Sequence, residues 1–145
     1  MARILKFLLL GVVALLAACA GPQYGDVARN APPLKPGEGR VYVFMPYGAT
    51  NIQPKIRLNR EVIGRVKAGS FFYVDRPAGN YVVTDLLWTN EGLSFTLPAG
   101  ETRYISMTTP SLGSTGYVKG NLILVDPPSE AQRQMLPLHY GGAAR

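Results

Sequence analysis

Short apolar runs separated by turn residues dominate residues 40–126. Several of these runs alternate apolar with polar residues, which is the period of a half-buried β-strand. The 16 glycines and 12 prolines fall mostly between the runs rather than inside them. Turn signals about every 8 to 12 residues are typical of an all-β sandwich or a small barrel. We therefore predict an antiparallel β-sandwich of about eight short strands, similar to transthyretin-like and PEGA-like modules.

Arg40–Pro46 is apolar on both faces and predicts a central strand of the sandwich. In the run that begins at Leu93, Leu93, Phe95 and Leu97 alternate with polar residues and predict a strand with one buried face. Turns are predicted at 77–80 and 98–101, where Pro and Gly cluster. The remaining predicted strands are Lys55–Asn59, Glu61–Val66, Phe71–Arg76, Tyr81–Trp88, Thr102–Met107 and Asn121–Asp126.

Asn59–Arg60 predicts a two-residue turn between two of these strands. Asn tolerates the positive φ that the first position of a type I′ turn requires. If Leu58 faces Glu61 across the hairpin, Ile56 faces Ile63 and one face of the hairpin stays apolar.

The first 20 residues follow the plan of a secretory signal peptide. Arg3 and Lys6 precede an apolar run, and small residues follow it. The uninterrupted apolar run, 7–20, has 14 residues, whereas a helix that spans a bilayer needs about 20. We therefore predict a cleaved signal helix over residues 1–18 rather than a permanent transmembrane segment.

Cys19 is the only cysteine of the chain, and Leu16–Cys19 resembles the lipobox of bacterial lipoproteins. The resemblance implies that the signal is cut between Ala18 and Cys19 and that Cys19 carries the acyl chains that anchor the protein in a membrane. Because Ala20 rather than Asp follows, it also implies the outer membrane, facing the periplasm. The alternative is an ordinary signal peptide in which the cysteine is incidental.

The segments on either side of the sandwich are predicted to be less regular. Residues 19–39 comprise the lipidated cysteine and a Pro- and Gly-rich tether; the alternative is that part of this segment folds along the domain. After the sandwich, residues 127–145 are predicted to form a short helix, Ser129–Leu136, and a flexible tail.

Ile56–Val83 resembles the centre of the bacterial lipoprotein family known as domain of unknown function 2846. The segments that carry the resemblance are Met45–Pro46, Gly64, Gly69–Tyr73 and Pro77–Tyr81, with Asn59–Arg60 in the place of the usual Asp-Gly. The resemblance implies a small β-sandwich. It implies no catalytic residue, because the family has no established activity.

The function predicted from these features is a non-catalytic binding or structural module of the cell envelope. With one cysteine and one histidine in the chain, a Cys/His zinc site is not expected. We predict no catalytic residue, metal or cofactor. Export also argues against nucleic acid as a partner, despite a net charge of +6. The expected partners are the membrane, through Cys19, and an envelope protein or polysaccharide.

Aromatic and basic residues of the predicted strands are the candidate partner surface, because an exposed aromatic patch often binds a protein or a glycan. The members are Phe71, Tyr73, Tyr81, Trp88, Arg57 and Arg65. The alternative is core packing for about three of the aromatics and a solvated face for the arginines. A second function is an envelope enzyme or enzyme inhibitor that acts through the loop 111–119. Asp75, Asp85, Glu91 and Asp126 are carboxylates at strand ends that such chemistry would use.

Overall fold

The computed structural model describes residues 21–85, 92–108, 111–112 and 118–142. The signal segment, the Ala18–Cys19 cleavage site and Trp88 lie outside these residues. The helices are α1 Tyr24–Asn30 and α2 Pro128–Met135. The strands are β1 Glu38–Met45, β2 Lys55–Leu58, β3 Glu61–Arg65, β4 Ser70–Pro77, β5 Gly79–Thr84, β6 Leu93–Leu97, β7 Thr102–Met107, β8 Ser111–Leu112, β9 Val118–Lys119, β10 Leu122–Leu124 and β11 His139–Tyr140.

Two sheets form the sandwich, and the predicted all-β fold class is confirmed. One sheet has five strands in the order β10-β7-β1-β4-β11, and the other has four in the order β3-β2-β5-β6. The predicted central strand, β1, is the middle strand of the five-stranded sheet. β8 and β9 pair with each other as a separate two-stranded ribbon.

The five-stranded sheet is mixed rather than purely antiparallel. β1 pairs with β7 in parallel, and β4 pairs with β11 in parallel. The chain reaches β7 by passing through the other sheet, since it leaves the five-stranded sheet after β4 and returns after β6. The opposite sheet therefore supplies the crossover that usually needs a helix in parallel β-structure.

The main core lies between the two sheets. From β1 it takes Val41, Val43 and Met45, which are each 0 % exposed. From β6 it takes Phe95 and Leu97, with Leu93 partly buried beside them. The alternation predicted for β6 is therefore confirmed. Each fully buried side chain of this kind contributes about 1.5–3 kcal/mol to the free energy of unfolding.

A second core covers the opposite face of the five-stranded sheet. Tyr42 and Phe44 of β1 point to this face, and Met135 of α2 packs there with Tyr24 of α1. β1 is consequently buried on both faces, as its continuous apolar run predicts. The domain thus has three layers, in which the five-stranded sheet lies between the four-stranded sheet and the helices.

The described part of the predicted tether is folded, so that prediction is wrong from Gly21 onward. Tyr24 in α1 is 6 % exposed, and the carbonyl oxygen of Pro32 accepts a hydrogen bond of 2.7 Å from Arg40 Nη2. The predicted short helix after the sandwich is present as α2, but the tail prediction fails at His139–Tyr140, which forms β11. Both segments fold because the sheet face beneath them is apolar.

The β2–β3 hairpin confirms the predicted turn and corrects the predicted register. Asn59 and Arg60 have φ values of 47° and 74°, so both turn positions are left-handed, as in a type I′ turn. Leu58 faces Glu61, but Ile56 faces Gly64 instead of Ile63, because a bulge follows Ile56. The bulge lets Ile63 stay buried while Gly64 lies against the ring of Phe72.

The close approach at Gly64 generates a stability prediction. A Cβ at Gly64 would lie 2.7 Å from Cζ of Phe72, so Gly64→Ala should lower the free energy of unfolding by about 1–3 kcal/mol. Gly25→Ala in α1 is the matched control, because its nearest atom would be an arginine side-chain nitrogen 3.8 Å away. We expect this control to be neutral or slightly stabilising. Urea unfolding of both variants is the measurement, and equal destabilisation would contradict the proposed contact.

Candidate functional site

The six residues of the candidate partner surface do not form one exposed patch. Phe71 is 0 % exposed and packs beneath α1, with its ring centroid 5.7 Å from that of Tyr24. The prediction that Phe71 contributes to a surface is therefore wrong. α1 comes from the segment that the sequence assigned to a tether.

Tyr73 and Tyr81 are half-buried and lie in different sheets. Tyr73 in β4 packs against the second core, with its ring centroid 5.3 Å from that of Tyr42. Tyr81 in β5 packs 5.9 Å from Phe95, and its hydroxyl donates to the carbonyl oxygen of Pro77 at 2.7 Å. The two tyrosines therefore serve separate cores, and Trp88 lies outside the described residues.

Arg57 and Arg65 belong to the β2–β3 hairpin, but their exposure differs. Arg57 is 9 % exposed and pairs in register with Thr84 of β5. Arg65 is exposed and donates to the carbonyl oxygen of Gln53 at 3.3 Å. Arg65 is therefore the one member of the predicted patch that is exposed among the described residues.

A partly buried ion pair joins Arg40 and Asp75, which face each other across β1 and β4. The guanidinium binds both carboxylate oxygens, Nε to Oδ1 at 2.7 Å and Nη2 to Oδ2 at 2.8 Å. It also lies 4.5 Å from the centre of the Tyr73 ring. The hydrogen bond to Asp75 raises the pKa of Arg40 above its ordinary value.

This ion pair has a structural consequence. Because Arg40 also binds the carbonyl oxygen of Pro32, it connects the segment after α1 to the sheet. Both carboxylate oxygens of Asp75 accept hydrogen bonds from the guanidinium. Sequence reasoning missed the pair because nothing in the pattern shows that residues 35 positions apart are partners in register.

A tyrosine network lies beside the ion pair in the second core. The hydroxyls of Tyr24 and Tyr104 are 3.4 Å apart, and Gln132 Nε2 donates to Tyr104 at 3.1 Å. Tyr42 stacks on Tyr104 with an interplanar angle of 9°. Burial raises the pKa of Tyr42 to about 12 and also raises that of Tyr24.

A groove of about 350 Å³ opens where β6, β7, β10 and the start of α2 meet. Among its described lining residues, Arg103 and Asp126 carry charge. Arg103 is already bound, to Glu101 at 2.8 Å and to the carbonyl oxygen of Thr96 at 3.0 Å. The groove offers apolar surface and hydroxyl groups to a ligand, without a nucleophile held by a base.

The other candidate residues for chemistry have structural partners. Asp85 accepts a hydrogen bond of 2.8 Å from the backbone N–H of Gly120. Nδ1 of His139 lies 2.7 Å from the carbonyl oxygen of Gly21. In the described part of the chain, no group of three His, Cys, Asp or Glu side chains is placed to hold a metal ion. Residues 113–117 of the loop 111–119 lie outside the described residues, and so does Glu91. A function based on this loop therefore stays a prediction.

No family model matches this chain, and no curated protein or solved structure is detectably similar to it. The search for membrane spans among the described residues found no helix of sufficient length and hydropathy.

The Arg40–Asp75 pair generates a stability prediction. Arg40→Ala should lower the free energy of unfolding by about 2–4 kcal/mol, because it leaves a partly buried carboxylate without its partner. Arg133→Ala is the matched control, since the Arg133–Glu130 pair lies on the exposed face of α2, and its loss should cost at most about 0.5 kcal/mol. Urea unfolding measures the free energy of unfolding of both variants. Similar losses would contradict the prediction that the Arg40–Asp75 pair stabilises the fold more than the exposed pair does.

The buried tyrosines generate a prediction about pH. The pKa of Tyr42 is about 12 in the fold and about 10 in the unfolded chain. The unfolded chain therefore releases this proton first, and the free energy of unfolding should fall as the pH rises from about 10 to about 12. Unfolding in urea across this range should show a shallower fall for Tyr42→Phe. An identical slope in the variant would remove Tyr42 as the cause.

Proposed function

We propose that this chain is a cell-envelope lipoprotein. It is exported, cut before Cys19, acylated at that residue and held at the outer membrane facing the periplasm. The folded part then acts as a non-catalytic binding or structural module for an envelope protein or polysaccharide. The resemblance to the family known as domain of unknown function 2846 belongs to the same proposal.

The observation that carries the proposal is the sequence before Cys19, in which Arg3 and Lys6, an apolar run and small residues lead to Leu16–Cys19. Gly21, two residues after Cys19, already contacts β11 through His139. Pro22 accepts a backbone hydrogen bond of 2.8 Å from Tyr140. The mature chain of a lipoprotein begins with the acylated cysteine, so these contacts would lie close to the proposed anchor.

The engagement of the acidic and histidine side chains supports a module rather than an enzyme. Acylation would occupy the thiol of Cys19. His139 and Asp75 each contribute to contacts that bind terminal segments to the sheet. A catalytic role for either would require breaking a contact on which the three-layer fold depends. The groove beside Arg103 is the better candidate for a bound ligand, because its walls come from rigid strands.

Mass spectrometry of the chain expressed in a Gram-negative bacterium tests the proposal. We expect the N-terminal peptide to begin at Cys19 and to carry two or three acyl chains. Cys19→Ser should yield no acylated peptide, because the hydroxyl is not a substrate for the lipid transfer. An unmodified thiol at Cys19 in the membrane fraction, or cleavage elsewhere, would overturn the proposal.

The proposed localisation at the outer membrane has a separate test. Ala20→Asp changes the residue after the acylated cysteine and should move the protein from outer to inner membrane on density-gradient fractionation. Ala20→Ser is the control and should leave the distribution as in the parent. If the parent already fractionates with the inner membrane, the outer-membrane assignment fails while lipidation stands.

A further inference from the structure

The positive charge of the sequence is concentrated in one hairpin. Residues 55–67, which form β2, β3 and their flanks, contain five basic residues and one acidic residue. From Cys19 onward, the remaining residues contain eight basic and eight acidic side chains, so they are neutral as a set. The whole net charge of the chain after the signal segment therefore lies in this basic hairpin.

Most of the five cations of the basic hairpin are exposed to solvent. Lys55 and Arg65 are partners in register and are both exposed, as is Lys67. None of the three takes part in an ion pair among the described residues. By contrast, the exposed cations Arg29 and Arg133 on the helices each bind a neighbouring carboxylate.

The basic hairpin and the start of the described chain lie on the same side of the sandwich. β3 is an edge strand that lies over β4, where Gly64 contacts Phe72 and Arg76 Nη2 binds Glu61 at 3.1 Å. β11 is the edge strand beside β4, and Gln23 forms a bridge to it at His139. We call this side, formed by β3, β11 and residues 21–23, the anchor side.

The chain leaves little distance between the anchor side and Cys19. Gly21 is two positions after Cys19, so their Cα atoms lie at most about 7 Å apart. Packed sheets lie about 10 Å apart. β3 of one sheet and β11 of the other are therefore close enough to contact the same membrane surface. Lysine and arginine side chains extend further and attract anionic lipid over about 8–10 Å at moderate salt.

We propose that the basic hairpin docks on the anionic headgroups of the bilayer that holds Cys19. The inference rests on the proposed acylation of Cys19, and it adds an orientation to that function. The sandwich lies with its anchor side toward the lipid phosphates, and the helical layer and the groove beside Arg103 stay accessible to a partner. The folded state of residues 21–39 is essential, because a flexible tether of that length would let the domain leave the surface.

The test uses the acylated full chain in vesicles of phosphatidylcholine with about one third phosphatidylglycerol. Acylation uses the thiol of Cys19, so one added cysteine takes a fluorophore selectively. Val62→Cys labels the hairpin, where Val62 is 37 % exposed. Ser94→Cys labels β6, at the opposite edge of the same sheet. With a quencher on the lipid headgroups, we expect severalfold stronger quenching of a fluorophore at position 62 than of one at position 94. The quenching at position 62 should decrease at high salt or in pure phosphatidylcholine.

Two triple variants separate the hairpin from net charge. Lys55→Gln, Arg65→Gln and Lys67→Gln together should reduce quenching at 62 to the level at 94. Arg29→Gln, Lys35→Gln and Arg133→Gln together remove the same charge from exposed residues away from the hairpin and should leave the quenching unchanged. All six are exposed, so circular dichroism should show the parent fold in both variants.

The outcomes distinguish this inference from the proposed function. If Cys19 carries acyl chains but 62 and 94 are quenched equally, the orientation is wrong and lipidation stands. If both triple variants reduce quenching alike, net charge rather than the hairpin is responsible, and the inference fails. Hairpin-dependent binding of a soluble polyanion without quenching at 62 would assign the surface to an anionic polymer instead of lipid. An unmodified Cys19 would overturn both proposals.

Discussion

The two-sided burial of β1 is the constraint on which the rest of the structure depends. Val41 and Val43 face the four-stranded sheet, so Tyr42 and Phe44 must face the other way. A sheet with apolar side chains on both faces is stable in water only if both faces are covered. The segments before and after the sandwich provide that cover, and Arg40 binds one of them through Pro32.

This cover decides where a membrane anchor could hold the domain. If residues 19–39 were a coil, an acylated Cys19 would let the sandwich move at a distance from the bilayer. Tyr24 and Val27 of α1 instead pack on the second core, and Gly21 contacts His139 of β11. Under the proposed acylation of Cys19, the helix that covers the sheet would also set the distance between the domain and the lipid.

Much of the fold could be predicted from the sequence, because strands have a local signature. The alternation of Leu93, Phe95 and Leu97 shows which face is buried, and Asn59 indicates the turn that follows β2. The bulge after Ile56 could not be predicted, because its cause is the fit of Gly64 against Phe72, a contact with another sheet.

The candidate surface was predicted less well for the same reason. Phe71 and Tyr73 share one face of β4, and sequence alone indicated that aromatics lie on both faces of that strand. What buries Phe71 is α1, a helix of seven residues in a stretch rich in Pro and Gly. A single Tyr24–Val27 pair is too short a pattern to predict a packed helix. Residues with similar local patterns can therefore differ in exposure, because elements distant in sequence bury some of them.

The sign of the charge on the basic hairpin is the feature that a purely structural account explains least. An edge strand such as β3 is protected from pairing with other chains by charged side chains, especially lysine. Here five of the six charged residues in 55–67 are basic, although the remainder of the chain after the signal segment is balanced. Edge protection accounts for charge on β3, whereas the proposed docking on an anionic surface would account for the excess of basic residues over the whole segment, including β2 inside the sheet.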